Sequence, residues 1–96
     1  MKIYISGKVT GLNYDIVYKY FEDAEVDIKK MGHEPINPMK FCPNDPTWTW
    51  EQYMELCLKH LLYCDGIYLL DNWGHSKGAR VEYAVAKELE LKVLFQ

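Results

Sequence analysis

C-D-G-I-Y-L-L-D-N-W-G-H-S-K-G-A-R-V-E-Y, from Cys64 to Tyr83, decides how this 96-residue chain folds. It opens on an apolar run, Ile67-Tyr68-Leu69-Leu70, that reads as a buried strand. The pattern breaks at Asp71-Asn72-Trp73-Gly74 and resumes as a helix after Ser76, a favourable N-cap. Gly78 leaves the first helical turn without a side chain. Unpaired N–H groups at that turn, and the positive end of the helix dipole, make an anion-ready end. Glu82 follows about one and a half turns later. On a helical projection its neighbours are Ala79, Val85, Ala86 and Leu89, so it lies inside the apolar stripe. On periodicity alone two readings stay open: a glutamate that reaches out to water or a cation, and a carboxylate kept in the core for use.

Working outward, Lys2 to Ser6 alternates with β-branched and aromatic residues and reads as the first strand. Gly7-Lys8-Val9-Thr10-Gly11 is a glycine-bracketed loop. Val17, Tyr20, Phe21, Ala24, Ile28 and Met31 recur at helical spacing, and Gly32 stops that helix. His33 to Asn37 is a short strand ended by Pro38. Met39 to Thr49 reads as a loop, of a length expected of a lid or subunit contact. A second helix covers Trp50 to Tyr63, with Trp50, Tyr53, Met54, Cys57, Leu58 and Leu61 on its stripe. Lys92 to Phe95 supplies a last strand.

Strand and helix alternate throughout, which implies a parallel sheet with helices on both faces. The expected fold is α/β, a doubly wound, flavodoxin- or Rossmann-like three-layer sandwich of one domain over residues 1–96. The expected strand order is 2-1-3-4. In such sheets ligands bind beyond the carboxyl ends of the strands where the winding reverses, here between strands one and three. The tips meeting there are Ser6-Gly7-Lys8 and Asp71-Asn72-Trp73, with the Ser76 helix start beside them. Ser6, Gly7 and Lys8 are placed to meet a phosphate and Asp71 to hold sugar hydroxyls. Trp73 is placed to stack on a base, although packing is the commoner use of a tryptophan. Tyr4 reads as packing whose hydroxyl reaches Glu82 if strands one and three are neighbours.

Composition narrows the partners. The chain is 49% apolar with a formal charge of −3, so it is globular and has no basic tract to bind duplex nucleic acid. No apolar run approaches the ~20 residues that span a bilayer, and Lys2 leads into a strand pattern and not into a targeting leader. The three cysteines are odd in number and lack C-x-x-C spacing, so a reducing cytoplasm is expected and a disulfide framework is not. Cys57, His60 and Cys64 share one side of the second helix and its exit. Cys57 sits mid-stripe as a small hydrophobe, and no metal site or cofactor is expected.

The same residues carry a resemblance. I-Y-I-S-G-K-V-T-G at the start, Gly32 with Asn37-Pro38, W-x-x-Y-M, the C-D-x-I-Y-L-L strand and S-K-G-A-R-V-E-Y-A-V-A together resemble the nucleoside 2-deoxyribosyltransferase-like superfamily. Its deoxynucleoside 5′-monophosphate N-glycosidases are included in that likeness, which covers nearly the whole chain. It implies that Glu82 is the nucleophile at the anomeric carbon, forming a covalent deoxyribosyl intermediate that water or a second base resolves. It implies that Tyr4 lies beside that glutamate and that Ser76 and Gly78 hold a 5′-phosphate. Free-nucleoside transferases tend to carry aspartate at the Ser76 position, so serine points to a nucleotide. One position departs: eight residues before Asp65 the superfamily often has an aspartate that partners the leaving base, and here it is Cys57. The resemblance further implies a homodimer or larger homo-oligomer. Three functions follow as expectations: glycosidic cleavage or transfer on a deoxynucleotide, a nucleotide-binding module that has lost chemistry, and a structural interaction domain.

Overall fold

The computed structural model describes residues 1–96. Its elements run β1 (Lys2–Ser6), α1 (Tyr14–Lys30), β2 (Glu34–Ile36), α2 (Pro38–Phe41), α3 (Trp50–Leu61), β3 (Gly66–Leu69), α4 (Lys77–Glu88) and β4 (Lys92–Phe95). The four strands form one parallel sheet in the order β2-β1-β3-β4. This is the α/β architecture and strand order that the alternation predicts. No helix is long and apolar enough to cross a membrane.

Alternation along β1 sorts the core into two layers. Ile3 and Ile5 face α1 and pack with Val17, Phe21, Ala24 and Ile28. Tyr4 faces the other way and shares a cluster with Leu61, Ile67, Leu69 and Ala86. Ser6, two residues beyond Tyr4, points to that same face. Tyr20 and Met31, expected on the α1 stripe, are exposed. Tyr20 lies at the stripe's edge, and Met31 is already the C-cap. Gly32 follows at φ 83°, in the left-handed region that glycine tolerates.

The stretch read as a loop from Met39 begins instead within a one-turn helix, α2. The Asn37 side chain accepts from the Met39 N–H at 2.9 Å, and Pro38 occupies the first turn. Proline stops a strand, yet it also suits the first position of a helix, and after an asparagine cap the second use prevails. Lys40 on α2 reaches the buried Glu25 of α1 at 2.7 Å. Thr49 and Gln52 close a capping box that fixes the start of α3.

Asp65 fastens the head of β3 on both sides. Its carboxylate accepts from the Lys2 N–H at 2.8 Å, its own N–H donates to the Lys2 carbonyl, and its carbonyl accepts from Lys92. Gly66 then passes so close to β4 that a Cβ there would lie 2.9 Å from the Lys92 carbonyl oxygen and 2.8 Å from Ile3 Cδ1. Backbone cannot yield as a side chain tip can. Gly66→Ala is therefore expected to lower stability by about 1–3 kcal/mol in chemical denaturation. Gly74→Ala, where nothing lies within 4 Å, is expected to stay within about 0.5 kcal/mol of wild type.

Candidate active site

A cavity of about 650 Å³ opens between the ends of β1 and α4 on one side and the α2–α3 connection on the other. Glu82 lies in its lining and is only 6% exposed. Two hydroxyls hold the carboxylate: Tyr4 Oη donates to Oε2 at 2.5 Å and Ser6 Oγ donates to Oε1 at 2.7 Å. Such short contacts are those of O–H donors to an ionised acceptor. Strand alternation and the β1–β3 neighbourhood produce this arrangement, because residues 4 and 6 share the face on which α4 lies.

Burial and hydrogen bonding pull on Glu82 in opposite directions. Desolvation raises its pKa, the two hydroxyls lower it, and burial prevails, leaving it at about 7. Tyr4, fully buried, is held well above its ordinary value, first by desolvation and then by the Glu82 charge. Tyr4 therefore stays a proton donor to the carboxylate at all ordinary pH.

The start of α4 forms one end of the cavity. Ser76 Oγ accepts from the Ala79 N–H at 3.1 Å, and the N–H groups of Lys77 and Gly78 have no partner within the helix. Gly78 lies against α3, where a Cβ would meet Met54 Sδ at 3.2 Å. Lys77 reaches over the Trp50 ring, 4.3 Å from its centroid. Gly7 and Lys8 line the cavity from the β1 side. The Lys8 N–H donates to Asn72 Oδ1 at 3.0 Å, which ties the two strand tips together. Gly7 has a packing reason as well, since a Cβ there would fall 2.6 Å from Leu70 Cδ1.

Of the residues singled out in the sequence, Tyr4, Gly7, Lys8, Ser76, Gly78 and Glu82 line the cavity; Ser6, expected to meet a phosphate, is buried outside the lining and its hydroxyl is spent on Glu82. Asp71 and Trp73 are not in its lining. The chain leaving β3 turns toward β4: the Asp71 N–H donates to Gln96 Oε1, and the Trp73 ring packs on Tyr83 and Phe95 at 4.7 and 6.4 Å. Sugar and base roles for these two lose their geometric support.

Other cavity residues were not singled out. Trp50, Lys77 and Cys42 line it with Cys57. Cys57 Sγ lies 3.5 Å from Cys42 Sγ. Its thiol is pushed up, first by its contact with Cys42, then by burial and the Glu82 charge, so it remains a neutral S–H. Cys64 is elsewhere, donating to the His60 carbonyl at 3.4 Å. His60 stacks on Phe41. No three His, Cys, Asp or Glu side chains converge as a metal set. The Trp50 and Cys57 stripe was legible as apolar, and the resemblance set Cys57 beside the leaving base; that Trp50 and Cys42 join it in the wall follows only from the long-range packing of α2 and α3.

Glu82 makes folding depend on pH. Its folded pKa, about 7, lies above its ordinary 4.5. Below the ordinary value both states bind the proton and the folded state bears no penalty. As pH rises toward and through 7, the unfolded state ionises first and stability is lost, by about 3 kcal/mol in all. Glu82→Gln lacks this titration. Wild-type stability minus that of Glu82→Gln is thus expected to fall between about pH 4 and pH 8; parallel denaturation profiles would contradict a raised carboxyl.

No curated protein matches the chain significantly. Among solved structures, the chain superposes on a 2-deoxyribosyltransferase from the psychrotolerant bacterium Bacillus psychrosaccharolyticus with a TM-score of 0.73. That match is 21% identical and covers 99% of this chain and 71% of the other. The shared strand order and helix layers establish the nucleoside 2-deoxyribosyltransferase-like fold. A family profile described as a domain of unknown function, DUF4406, matches residues 1–95, and the chain belongs to that family.

Proposed function

We propose that the chain cleaves or transfers the N-glycosidic bond of a 2-deoxyribonucleoside 5′-monophosphate. One observation carries this: a buried, cavity-facing carboxylate, anchored by Tyr4 and Ser6, lies in the same cavity as an unsatisfied helix start. A solved protein that shares the fold is a 2-deoxyribosyltransferase, which favours the same chemistry.

In this reading an ionised Glu82 oxygen attacks C1′ of the sugar. The C1′–N bond breaks, its electron pair leaves with the base, and the base takes up a proton. Positive charge developing on the sugar ring is stabilised by the carboxylate across a short, dry distance. A glycosyl ester on Glu82 remains, and attack by water or a second base restores the carboxylate. Tyr4 and Ser6 fix the oxygens so that little reorganisation is needed at the moment of attack. The 5′-phosphate lies on the Lys77 and Gly78 N–H groups, with Ser76 beside it and the Lys8 and Lys77 ammoniums near. A second copy of the chain completing the cavity belongs to this proposal.

Incubation with the deoxynucleoside monophosphates of the common bases, followed by chromatography, is expected to show free base. Glu82→Ala is expected to abolish release. Tyr4→Phe removes one hydrogen bond to a charged oxygen and is expected to slow it by roughly tenfold to a hundredfold. Since ionised Glu82 is the nucleophile, kcat/KM of the free enzyme is expected to rise with pH and level off above about 7. No release from any of these nucleotides at high enzyme concentration would overturn the proposal.

Cys57 supports a second reading. A thiol held as a neutral S–H is a poor source of a proton for a leaving base, so the cavity would bind a nucleotide without cleaving it. That reading expects a nucleotide monophosphate to raise the melting temperature with no base released. It also expects Cys57→Asp to confer release where wild type has none.

A further inference from the structure

We propose that Cys42 and Cys57 are a redox-modification site in the cavity wall, where a hydroperoxide oxidises Cys42 and Cys57 resolves the product as a reversible disulfide. This goes beyond the proposed glycosidic chemistry and does not rest on it.

The two sulfur atoms are in contact at 3.5 Å, and both thiols are free. Both are partly exposed and both line the cavity, so a small oxidant has a route to them. They lie on different segments: Cys42 is the C-cap of α2, and Cys57 is in the middle of α3. The third cysteine, Cys64, is buried and bonded to the His60 carbonyl, outside the cavity lining. Pairing is therefore set by position and not by chance among three thiols.

The two thiols differ in setting. Either sulfur can donate in their contact, but Cys57, in the middle of α3, is pushed up by burial as well as by that contact, whereas Cys42, at the open end of α2, is lowered by it. Cys42 is thus the side on which thiolate forms, and thiolate is the nucleophile toward peroxide. Cys42 sulfur attacks one peroxide oxygen and the O–O bond breaks. Hydroxide leaves, takes the proton that Cys42 released, and becomes water. Cys42 is then a sulfenic acid. Cys57 sulfur attacks the sulfenic sulfur, the S–O bond breaks, and a second water leaves with the Cys57 proton. Two thiols and one hydrogen peroxide thus give one disulfide and two waters. A dithiol reverses the step by exchange.

The crosslink fastens the end of α2 to α3 and so locks two walls of the cavity together.

The test uses the whole reduced chain, treated with hydrogen peroxide, alkylated, and read by intact mass and peptide mapping. The expected result is loss of two hydrogens, one remaining thiol at Cys64, and a Cys42–Cys57 linked peptide that dithiothreitol removes. The oxidised chain is expected to melt higher, by on the order of 10 °C. In Cys57→Ser, a dimedone adduct is expected on Cys42 in place of the crosslink; in Cys42→Ser neither forms, while far-UV circular dichroism confirms that both variants fold. Three thiols surviving peroxide, a crosslink to Cys64, or a link between two chains would each overturn the proposal. These readouts are independent of base release, so failure of the glycosidic reading leaves them intact.

Discussion

Two hydroxyls on alternate residues of one strand hold a negative charge inside this protein. Burying a carboxylate is unfavourable, and Glu82 is nearly out of reach of solvent. Tyr4 and Ser6 offset part of that penalty, but not all of it, as the raised pKa shows. The pair exists only because β1 lies beside β3 and beneath α4. A register slip of one residue would swing Tyr4 and Ser6 to the α1 side and leave the carboxylate with no donor. Strand order, register and the α4 stripe are thus bound to one acid.

That dependence explains how much of the molecule was legible in its sequence. The elements followed from local rules: alternation in β1, the 3.6-residue stripe of α1, Ser76 as a cap, Gly32 as a stop. Glu82 showed itself as a charge out of place on an apolar stripe. Tyr4 and Ser76 followed once topology put strand and helix side by side. Asp71 and Trp73 misled because only distance along the chain placed them at the crevice. Their loop turns toward β4, held by Gln96, and that direction is set by a contact with the last residue of the chain. Cys42 was hidden for the same kind of reason. Nothing local in Phe41-Cys42-Pro43 says that its sulfur meets α3, and the Asn37-Pro38 cap that steers it there resembles a strand end.

A fold shared at 21% identity leaves the chemistry to be argued from side chains. Here the side chains divide. Glu82, its two hydroxyl donors and the open helix start share one cavity, and the proposed reading uses all of them. The opposite wall departs from what the resemblance implies, with a thiol pair where an aspartate would assist the base. A neutral thiol next to Tyr4 adds no second negative charge to the cavity, whereas an aspartate there would lie close to Glu82 and raise its pKa further. On the proposed reading, the cysteine therefore leaves Glu82 easier to ionise while withdrawing help from the leaving group.

On that reading these two consequences act on different steps. In the proposed chemistry, attack on C1′ needs an ionised carboxylate, and departure of a basic leaving group is helped by a proton. A site that favours the first at the expense of the second suits bases that leave readily, or ligands that are held and not cut. Between those outcomes the deciding quantity is the basicity of the leaving nitrogen, since a base that leaves as a stable anion needs no acid from α3. Rates that rise as the leaving base becomes more acidic would tie the thiol wall to substrate choice; rates indifferent to it would show that proton delivery comes from elsewhere in the cavity.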